Sequence, residues 1–473
     1  MGQEIASERF SEADFATFAA RLREETALLA TWFAEGRLER SGAMLGFELE
    51  GWLVDEAMRP APRAPALLAA LADPQVVPEL SVFNIEINGE PVALETTPLS
   101  RLAEALAGPL ERAQASGARL GLAVATIGTL PTLTAEQLDV GAMSPLARYR
   151  ALNARIFALR QGRALSLIID GAEPLELHWR DVMLEAAGTS FQIHLQVDPE
   201  HATRVYNASK ILSGPMVAIS ANSPFLFGHA LWEETRIALF EQAVSVGGAI
   251  LQERVNFGQR YAAHSLIETF EANLTRYPIL LPQCSDAPPE ALAHLRLHNG
   301  TIWRWNRPLI GFDDAGRPHL RIEHRVVPAG PTVADSIANT ALYLGAVQAL
   351  SQDPRPAETR LPFPHAMAGF YECARAGLAA RIRWLDGREH RVATILRDDL
   401  LPRAHHGLAA LGICASERDH WLGIIAQRLA QRRTGAAWQR AWVARHGHDM
   451  SGLTAAYLTR QRAGQPVHRW TID

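Results

Sequence analysis

Four stretches of this chain alternate between hydrophobic and polar positions, and their polar positions are rich in carboxylates, amides and arginines. They lie at residues 45–54, 78–86, 191–197 and 320–326. In the first, Leu45, Phe47 and Leu49 fall on one side of a strand and Glu48 and Glu50 on the other, because successive side chains point to opposite faces. Several acidic groups on one face repel one another unless a cation neutralises them. A wet sheet face with chance Glu pairs would explain one such strand, but the four together predict an active site built across a sheet.

Helical periodicity surrounds these strands. Helices are predicted at residues 12–40, 99–116 and 201–213, and a further strand at residues 120–126. From residue 331 onward the pattern changes to helices rich in Ala, Leu and Arg, predicted at residues 334–350, 367–386, 392–400 and 418–434, with no strand between them. We therefore expect an α+β fold, with a catalytic region over residues 1–330 and a helical C-terminal region over residues 331–473 packed on the same domain. The best linker candidate is Pro354-Arg355-Pro356.

Composition narrows the possible functions. With 473 residues, 48% of them hydrophobic, the chain can bury a large core. Its net charge of −5 is mixed along the chain and leaves no basic patch of the kind that nucleic acid requires. Lys210 is the only lysine and no G-x-x-x-x-G-K-[ST] motif occurs, which excludes P-loop and kinase chemistry. If the protein handles phosphates, arginines and metal ions must contact them.

The sequence gives no sign of a membrane-targeting segment or of thiol chemistry. No apolar run reaches the length of a membrane span and the N-terminus opens with charges, so we expect a cytoplasmic protein with no membrane partner. Cys284, Cys373 and Cys414 are far apart and odd in number, which argues against disulfides and against a thiolate metal site. Tyr206 and Lys210 have the Y-x-x-x-K spacing of short-chain dehydrogenases, but no glycine-rich turn follows an N-terminal strand, so the spacing is a coincidence.

The acidic positions suit a hard metal ion. Glu48 and Glu50 lie two residues apart on one strand, so their carboxylates point the same way. With Glu79, Glu86 and Glu323 they form a set of oxygen ligands. Such a set favours Mg²⁺ or Mn²⁺ over zinc, which prefers His and Cys.

Neighbouring side chains suggest phosphoryl chemistry. Arg325 lies two residues beyond Glu323 on the same strand face and can neutralise a phosphoryl group during transfer. His194 faces the same way as Gln192. Three roles are open for it: a metal ligand, a substrate contact or a hydrogen-bonded structural histidine. Trp303 and Trp305 are candidates either for adenine stacking or for ordinary packing.

Six short motifs follow one another in an order that one family shares. In chain order they are Gly46-Phe47-Glu48-Leu49-Glu50 with Leu53-Val54-Asp55, Pro78-Glu79 with Ile85-Glu86, Met143-Ser144-Pro145 with Arg148-Tyr149, Phe191-Gln192-Ile193-His194-Leu195, Ser220-Ala221-Asn222-Ser223-Pro224-Phe225, and Ile322-Glu323-His324-Arg325. Over roughly residues 45–330 the chain thus resembles the glutamate–cysteine ligases, especially the plant-type and bacterial carboxylate–amine ligase branch. The resemblance implies a glutamine synthetase-like fold, with a curved, mostly antiparallel sheet whose polar face forms the active site and which helices surround.

The resemblance also implies a role for individual residues. One metal ion would be held by Glu50, Glu79 and Glu86, and a second by Glu48, Gln192 and Glu323. Arg325 would stabilise the transferred phosphoryl group, and Arg307 is a second candidate for that task. Substrate contacts would come from Arg236, Arg148, Tyr149 and His194, the arginines gripping a carboxylate through bidentate hydrogen bonds.

One position departs from the family pattern. Plant-type enzymes carry an arginine five residues before the strand glutamine, where it contacts glutamate, but Ala187 stands there in this chain. The metal and phosphoryl residues are therefore expected to be intact, whereas the acid and amine pockets are expected to differ.

The function expected from the resemblance is ATP-dependent amide formation between the γ-carboxylate of glutamate and cysteine, through an acyl phosphate. ATP would be a substrate and Mg²⁺ or Mn²⁺ the cofactor, and the protein would be a monomer or homodimer acting on small molecules. Two alternatives stay open: a ligase of the same mechanism that uses another amine or acid, and a catalytically silent binding or regulatory relative. The presence of all six proposed metal ligands argues against silence.

Overall fold

An eight-stranded antiparallel sheet forms the centre of the protein. The computed structural model describes residues 4–40, 42–248 and 253–473. The strands are β1 Met44–Val54, β2 Val76–Pro78, β3 Asn84–Asn88, β4 Val92–Ala93, β5 Ala123–Ala125, β6 Leu165–Ile169, β7 Leu175–Trp179, β8 Phe191–Val197, β9 Phe225–Leu226, β10 His229–Ala230, β11 Asn306–Phe312, β12 Pro318–His324, β13 Arg381–Arg383 and β14 Glu389–Arg391. In the main sheet the order is β11-β12-β8-β1-β3-β2, and β4 and β5 also pair with β1.

Helices pack around this sheet. They are α1 Glu12–Glu35, α2 Ala64–Leu71, α3 Pro98–Arg119, α4 Ala147–Leu159, α5 Ala202–Ser220, α6 Thr235–Ala243, α7 Ile267–Arg276, α8 Ala293–Gly300, α9 Val333–Ser351, α10 Ala357–Arg360, α11 Phe363–Ala376, α12 Val392–Ile395, α13 Leu401–Ala410, α14 Ala415–Gln431, α15 Gly435–His446 and α16 Met450–Arg462. The predicted α+β class and the curved, mostly antiparallel sheet are thereby confirmed.

The central strand β1 has the two faces that its sequence predicts. Leu45, Phe47 and Leu49 are buried, and the Phe47 ring stacks on Phe191 of β8 with ring centres 5.9 Å apart. Burial of these alternate side chains fixes the register of β1, because a slip by one residue would turn every side chain to the opposite face. The register in turn fixes where the carboxylates on the other face lie.

The helices after residue 330 are tied to the body by buried polar contacts. Arg428 of α14 donates to Asp335 at 2.7 Å and Asn339 at 2.6 Å, both on α9, and to the carbonyl of Ile219 on α5 at 3.1 Å. Separating the helices would leave the buried charges of Arg428 and Asp335 without a partner, which is strongly destabilising. These contacts therefore hold the three helices in one arrangement. The division of the chain into regions 1–330 and 331–473 stays a prediction.

The prediction of helix through residues 367–386 is wrong in its second half. Helix α11 ends at Ala376, and β13 and β14 form a hairpin. Gly377 follows α11 with φ at 52°, outside the helical region, and burial then alternates, with Ile382 inside and its two neighbours exposed. That period of two marks a strand. The prediction that the C-terminal region contains no strand is therefore also wrong.

Smaller differences concern the ends of elements. Helix α1 ends at Glu35, five residues before the predicted end, because Gly36 adopts φ 67° and caps it. The strand predicted at residues 120–126 contains only the three residues of β5. The helix predicted at residues 392–400 continues through a π-helical turn into α13, and α15 and α16 had no predicted counterpart.

Candidate functional site

A large cavity lies over the polar face of the central sheet. Its volume is about 430 Å³, which falls in the size range of ligand pockets. All six proposed metal ligands line it: Glu48, Glu50, Glu79, Glu86, Gln192 and Glu323. Residues far apart in the chain are thus gathered at one site, as the sequence pattern predicted.

The strand register explains how these side chains meet. Glu50 of β1 lies directly opposite Glu86 of β3, and Glu48 lies opposite Gln192 of β8. Directly opposed residues of an antiparallel pair have Cβ atoms about 5 Å apart. A metal ion between two such side chains can therefore bind both without any movement of the backbone.

Three hydrogen bonds position the Glu50 carboxylate. It accepts hydrogen bonds from the backbone N–H of Ser190 at 2.6 Å, from the Ser190 hydroxyl at 2.9 Å and from Nε2 of Gln192 at 3.0 Å. The Gln192 amide oxygen accepts from Nη1 of Arg325 at 2.6 Å. Gln192 thus connects an acidic group to a cationic one and is held in a single orientation.

Two arginines neutralise Glu323, at one end of the carboxylate cluster. Arg307 donates two bonds of 2.8 Å to the carboxylate of Glu323, and Arg325 lies 3.1 Å from the same carboxylate. Burial alone would raise the pKa of Glu323, but Arg307 and Arg325 outweigh it and hold this pKa well below its ordinary value. Each guanidinium nitrogen of Arg307 has a partner, in Glu323 or in the carbonyls of Asn299 and Gly300. Nε of Arg325 has no hydrogen-bond acceptor among the described residues, so Arg325 is the arginine better placed to contact a phosphoryl group.

Around Glu79 and Glu86, at the other end of the carboxylate cluster, there is too little positive charge to balance the carboxylates. Burial, with Glu50 and Glu185 nearby, raises the pKa of Glu79 to about 7. Burial and the charge of Glu48 raise the pKa of Glu86 well above its ordinary value. Carboxylates that cannot all ionise together are stabilised by a divalent cation. This part of the site therefore fits a metal ion.

His194 adds a nitrogen donor at the second proposed metal position. Its Nε2 lies 3.7 Å from both Glu48 and Glu323, and it has no hydrogen-bond partner among the described residues. One ligand atom from each of these residues lies within 4.8 Å of the others. Burial lowers the pKa of His194 to about 4, so the ring is neutral and able to bind a metal. His194 would then add a nitrogen to the oxygen ligands expected at this position, and the ligand set stays a prediction.

The residues predicted to hold substrate carboxylates separate into two groups. Arg148 and Tyr149 line the cavity, with the guanidinium 4.4 Å from the centre of the Tyr149 ring. Arg236 does not line it: this guanidinium donates to Glu234 at 3.1 Å and to the carbonyl of Val326 at 2.6 Å. The structure therefore does not bring Arg236 to the position from which it would grip a substrate.

Three charged residues of the cavity were missed from the sequence: Glu185, Arg296 and Arg321. Arg321 lies two residues before Glu323, so the same alternation that identified Glu323 and Arg325 could have identified Arg321, which also lines the cavity. Glu185 sits in a short 3₁₀ turn where no periodic pattern marks it. Burial and the charge of Glu50 raise the Glu185 pKa to about 8.

Of the two tryptophans, only one faces the cavity. Trp303 lines it, and Trp305 is fully buried with its indole N–H donating to Glu241 at 2.7 Å. Trp305 thus has the packing role, and adenine stacking remains open to Trp303 alone.

Comparison with known structures identifies the class of fold. A glutamate–cysteine ligase from Francisella tularensis, solved in complex with AMP, is similar at a TM-score of 0.55 and 10% identity, over 90% of each chain. A bifunctional glutathione synthetase from Pasteurella multocida has a TM-score of 0.51 and 9% identity, over 93% of this chain and 55% of that one. The expected glutamine synthetase-like ligase fold, with its curved antiparallel sheet, is confirmed.

Sequence comparison identifies the family. The profile of glutamate-cysteine ligase family 2 (GCS2) matches residues 44–455, and the chain belongs to that family. It is a carboxylate–amine ligase by family and fold. No curated protein matches the chain significantly. Among the described residues, no helix is both long enough and apolar enough to span a membrane.

Proposed function

We propose that this protein joins the γ-carboxylate of glutamate to the amine of cysteine, using ATP. The observation that carries the proposal is one cavity lined by five carboxylates that lie in or next to strands and by arginines in or next to β11 and β12 of the same sheet. Attack of one anion on another is the main electrostatic obstacle to carboxylate phosphorylation, and a site with metal ligands and guanidinium groups addresses it directly.

The proposed chemistry has two steps. An oxygen of the acid carboxylate attacks the γ-phosphorus of ATP, the bond to the β-phosphate oxygen breaks, and an acyl phosphate and ADP result. The amine nitrogen then attacks the acyl carbon, phosphate leaves, and the nitrogen loses a proton to form the amide. Divalent metal held by Glu50, Glu79 and Glu86 would offset the charge of the phosphates.

Two of the chain's own side chains have suitable positions for these steps. Arg325 is held by Gln192 and Glu323, so its guanidinium can meet the transferring phosphoryl group with little reorganisation. Glu185 also lines the cavity, and burial followed by the charge of Glu50 raises its pKa to about 8. A carboxylate that titrates near neutral pH is suited to accept the proton of the incoming amine.

A panel assay tests this proposal. Phosphate release from ATP would be measured with glutamate and each of a set of amines, cysteine among them, and the products identified by mass spectrometry. We expect release that requires Mg²⁺, glutamate and cysteine together, and that is lost in Glu50→Gln. A panel without any glutamate-dependent phosphate release would contradict the choice of acid.

One observation favours a second candidate, a ligase of the same mechanism for a different acid. Ala187 replaces the arginine expected to hold glutamate, and Arg236 is engaged by Glu234 and Val326. Arg148, Arg296 and Arg321 are then the remaining candidates among the cavity's arginines for contacting an α-carboxylate. If neither serves, another carboxylate in the same assay should support phosphate release where glutamate does not.

A further inference from the structure

The only lysine of the chain lies in a second, smaller cavity. Lys210 is 1% exposed, and its ammonium donates to the carbonyl of Phe257 at 2.6 Å. The rings of Tyr206 and Phe257 lie 4.8 and 5.2 Å from its nitrogen. The ring of Phe363 lies 5.8 Å from the same nitrogen. One carbonyl and three ring faces replace only part of the water that a buried ammonium loses.

A buried arginine shares this cavity. Arg304 is 6% exposed, and its Nη1 has no hydrogen-bond acceptor among the described residues. Its Nη2 lies 3.5 Å from the hydroxyl oxygen of Tyr277. Within the described part of the chain, neither Lys210 nor Arg304 forms an ion pair with a carboxylate. Two buried cations beside each other without a counter-ion are costly, which a bound anion would correct.

Tyr277 and Gly258 complete the surroundings of the two cations. The Tyr277 hydroxyl oxygen is positioned to accept from Arg304 and from Asn256, so its own hydrogen is available for a ligand. Gly258 has φ +99°, and a Cβ there would lie 2.7 Å from the Lys210 nitrogen. A side chain at position 258 would thus fill the space beside the ammonium that glycine leaves open within the cavity.

The charge around the cavity favours an anion. Two arginines at exposed positions also line it, Arg260 and Arg276, and the acidic residue that lines it, Glu268, is paired with Arg260 at 2.9 Å. Burial, followed by the charge of Arg304, lowers the pKa of Lys210 to about 7. An anion beside the ammonium would therefore promote proton uptake by Lys210 near neutral pH.

We propose that this cavity binds a small tetrahedral oxyanion, inorganic phosphate or sulfate, between Lys210, Arg304 and the Tyr277 hydroxyl. Its volume of about 60 Å³, against about 430 Å³ for the large cavity, suits such an ion and is too small for a nucleotide. The site lies apart from the carboxylate cluster, although Arg304 directly follows Trp303 of the large cavity. The proposal does not depend on the ligase reaction.

The single lysine makes a direct test available. The full chain would be labelled with ¹³C at lysine Cε, which gives one side-chain signal that follows the protonation of Lys210. Titrations would be run in phosphate, in sulfate and in chloride at equal ionic strength. We expect the apparent pKa of Lys210 to rise by at least about one unit in phosphate or sulfate relative to chloride. An identical titration in all three salts at tens of millimolar would overturn the proposal.

Variants make the test specific to this cavity. Arg304→Gln should remove most of the phosphate-dependent shift, and Tyr277→Phe should weaken phosphate binding several-fold while keeping the aromatic packing. Arg397→Gln, which removes an exposed arginine paired with Asp398, is the matched control and should respond as the wild type does. A full shift retained in both folded cavity variants would overturn the assignment, and Tyr277→Phe still decides the matter if Arg304→Gln does not fold.

Discussion

Replacing Glu79 by Gln should stabilise the metal-free protein at alkaline pH. Burial and the charges of Glu50 and Glu185 raise the pKa of Glu79 from 4.5 to about 7. Between these pH values the folded protein holds a proton on Glu79 that the unfolded chain releases, so Glu79 makes the wild type progressively less stable as pH rises from about 4.5 through 7. Glutamine lacks this titration and keeps an oxygen for the backbone N–H of Leu80, which donates to Glu79 at 2.8 Å.

The magnitude follows from the size of the shift. The difference between 7 and 4.5 is about 2.5 units, which at 1.36 kcal/mol per unit gives an upper limit of ~3.4 kcal/mol. Glu79 is partly exposed and shares its repulsion with neighbouring carboxylates, so we expect a gain of about 1–2 kcal/mol in the free energy of unfolding. The gain should be nearly complete at pH 8 and small at pH 5.

Urea unfolding followed by circular dichroism measures this gain, at both pH values and with or without Mg²⁺. Glu90→Gln removes one exposed carboxylate near the end of β3 and should change little. Saturating Mg²⁺ should stabilise the wild type more than Glu79→Gln, because the proposed metal site loses a ligand charge. If Glu79→Gln is no more stable than the wild type at pH 8 without metal, the inferred repulsion among these carboxylates is wrong.

Three further variants test other parts of the site. Arg325→Ala should lower kcat on the order of a hundredfold with a smaller effect on the KM for ATP, and a raised KM at unchanged kcat would contradict a transition-state role. Arg148→Gln should raise the KM for the acid, which steady-state kinetics measures. Arg236→Ala should lower the free energy of unfolding by about 3–5 kcal/mol in urea unfolding, since it leaves the buried Glu234 without its ion-pair partner. Glu241→Gln should stabilise the protein by about 1–3 kcal/mol at pH 8 but not at pH 4, because burial raises the Glu241 pKa to about 7. The glutamine oxygen can still accept the hydrogen bond from Trp305. Urea unfolding of the variant and the wild type with the same pH dependence would contradict this.

The sheet and its acidic face could be predicted because alternation in a strand depends on local sequence. Glu48 and Glu50 had to share a face once Leu45, Phe47 and Leu49 were buried on the other. No single segment of the sequence shows which strand it pairs with. The placement of Glu50 opposite Glu86 could therefore be inferred only through the family resemblance. Arg321 obeys the same alternation and was available to the same reasoning.

Other features depend on tertiary contacts that no local pattern reveals. Glu185 reaches the cavity from a 3₁₀ turn, and such turns have no hydrophobic period to mark the inward side chain. Arg236 was a reasonable candidate for substrate binding until its contacts with Glu234 and Val326 became visible. The hairpin after α11 was hidden among Ala and Arg residues typical of helices, although Gly377 marked the break.

The most direct test of the proposed function follows one oxygen atom. Glutamate labelled with ¹⁸O in its γ-carboxylate would be incubated with ATP, Mg²⁺ and cysteine, and the released phosphate analysed by mass spectrometry. A reaction through an acyl phosphate transfers one labelled oxygen to each phosphate as the amide forms. We predict one ¹⁸O per phosphate, in proportion to the amide product. Amide formation accompanied by unlabelled phosphate would contradict the account.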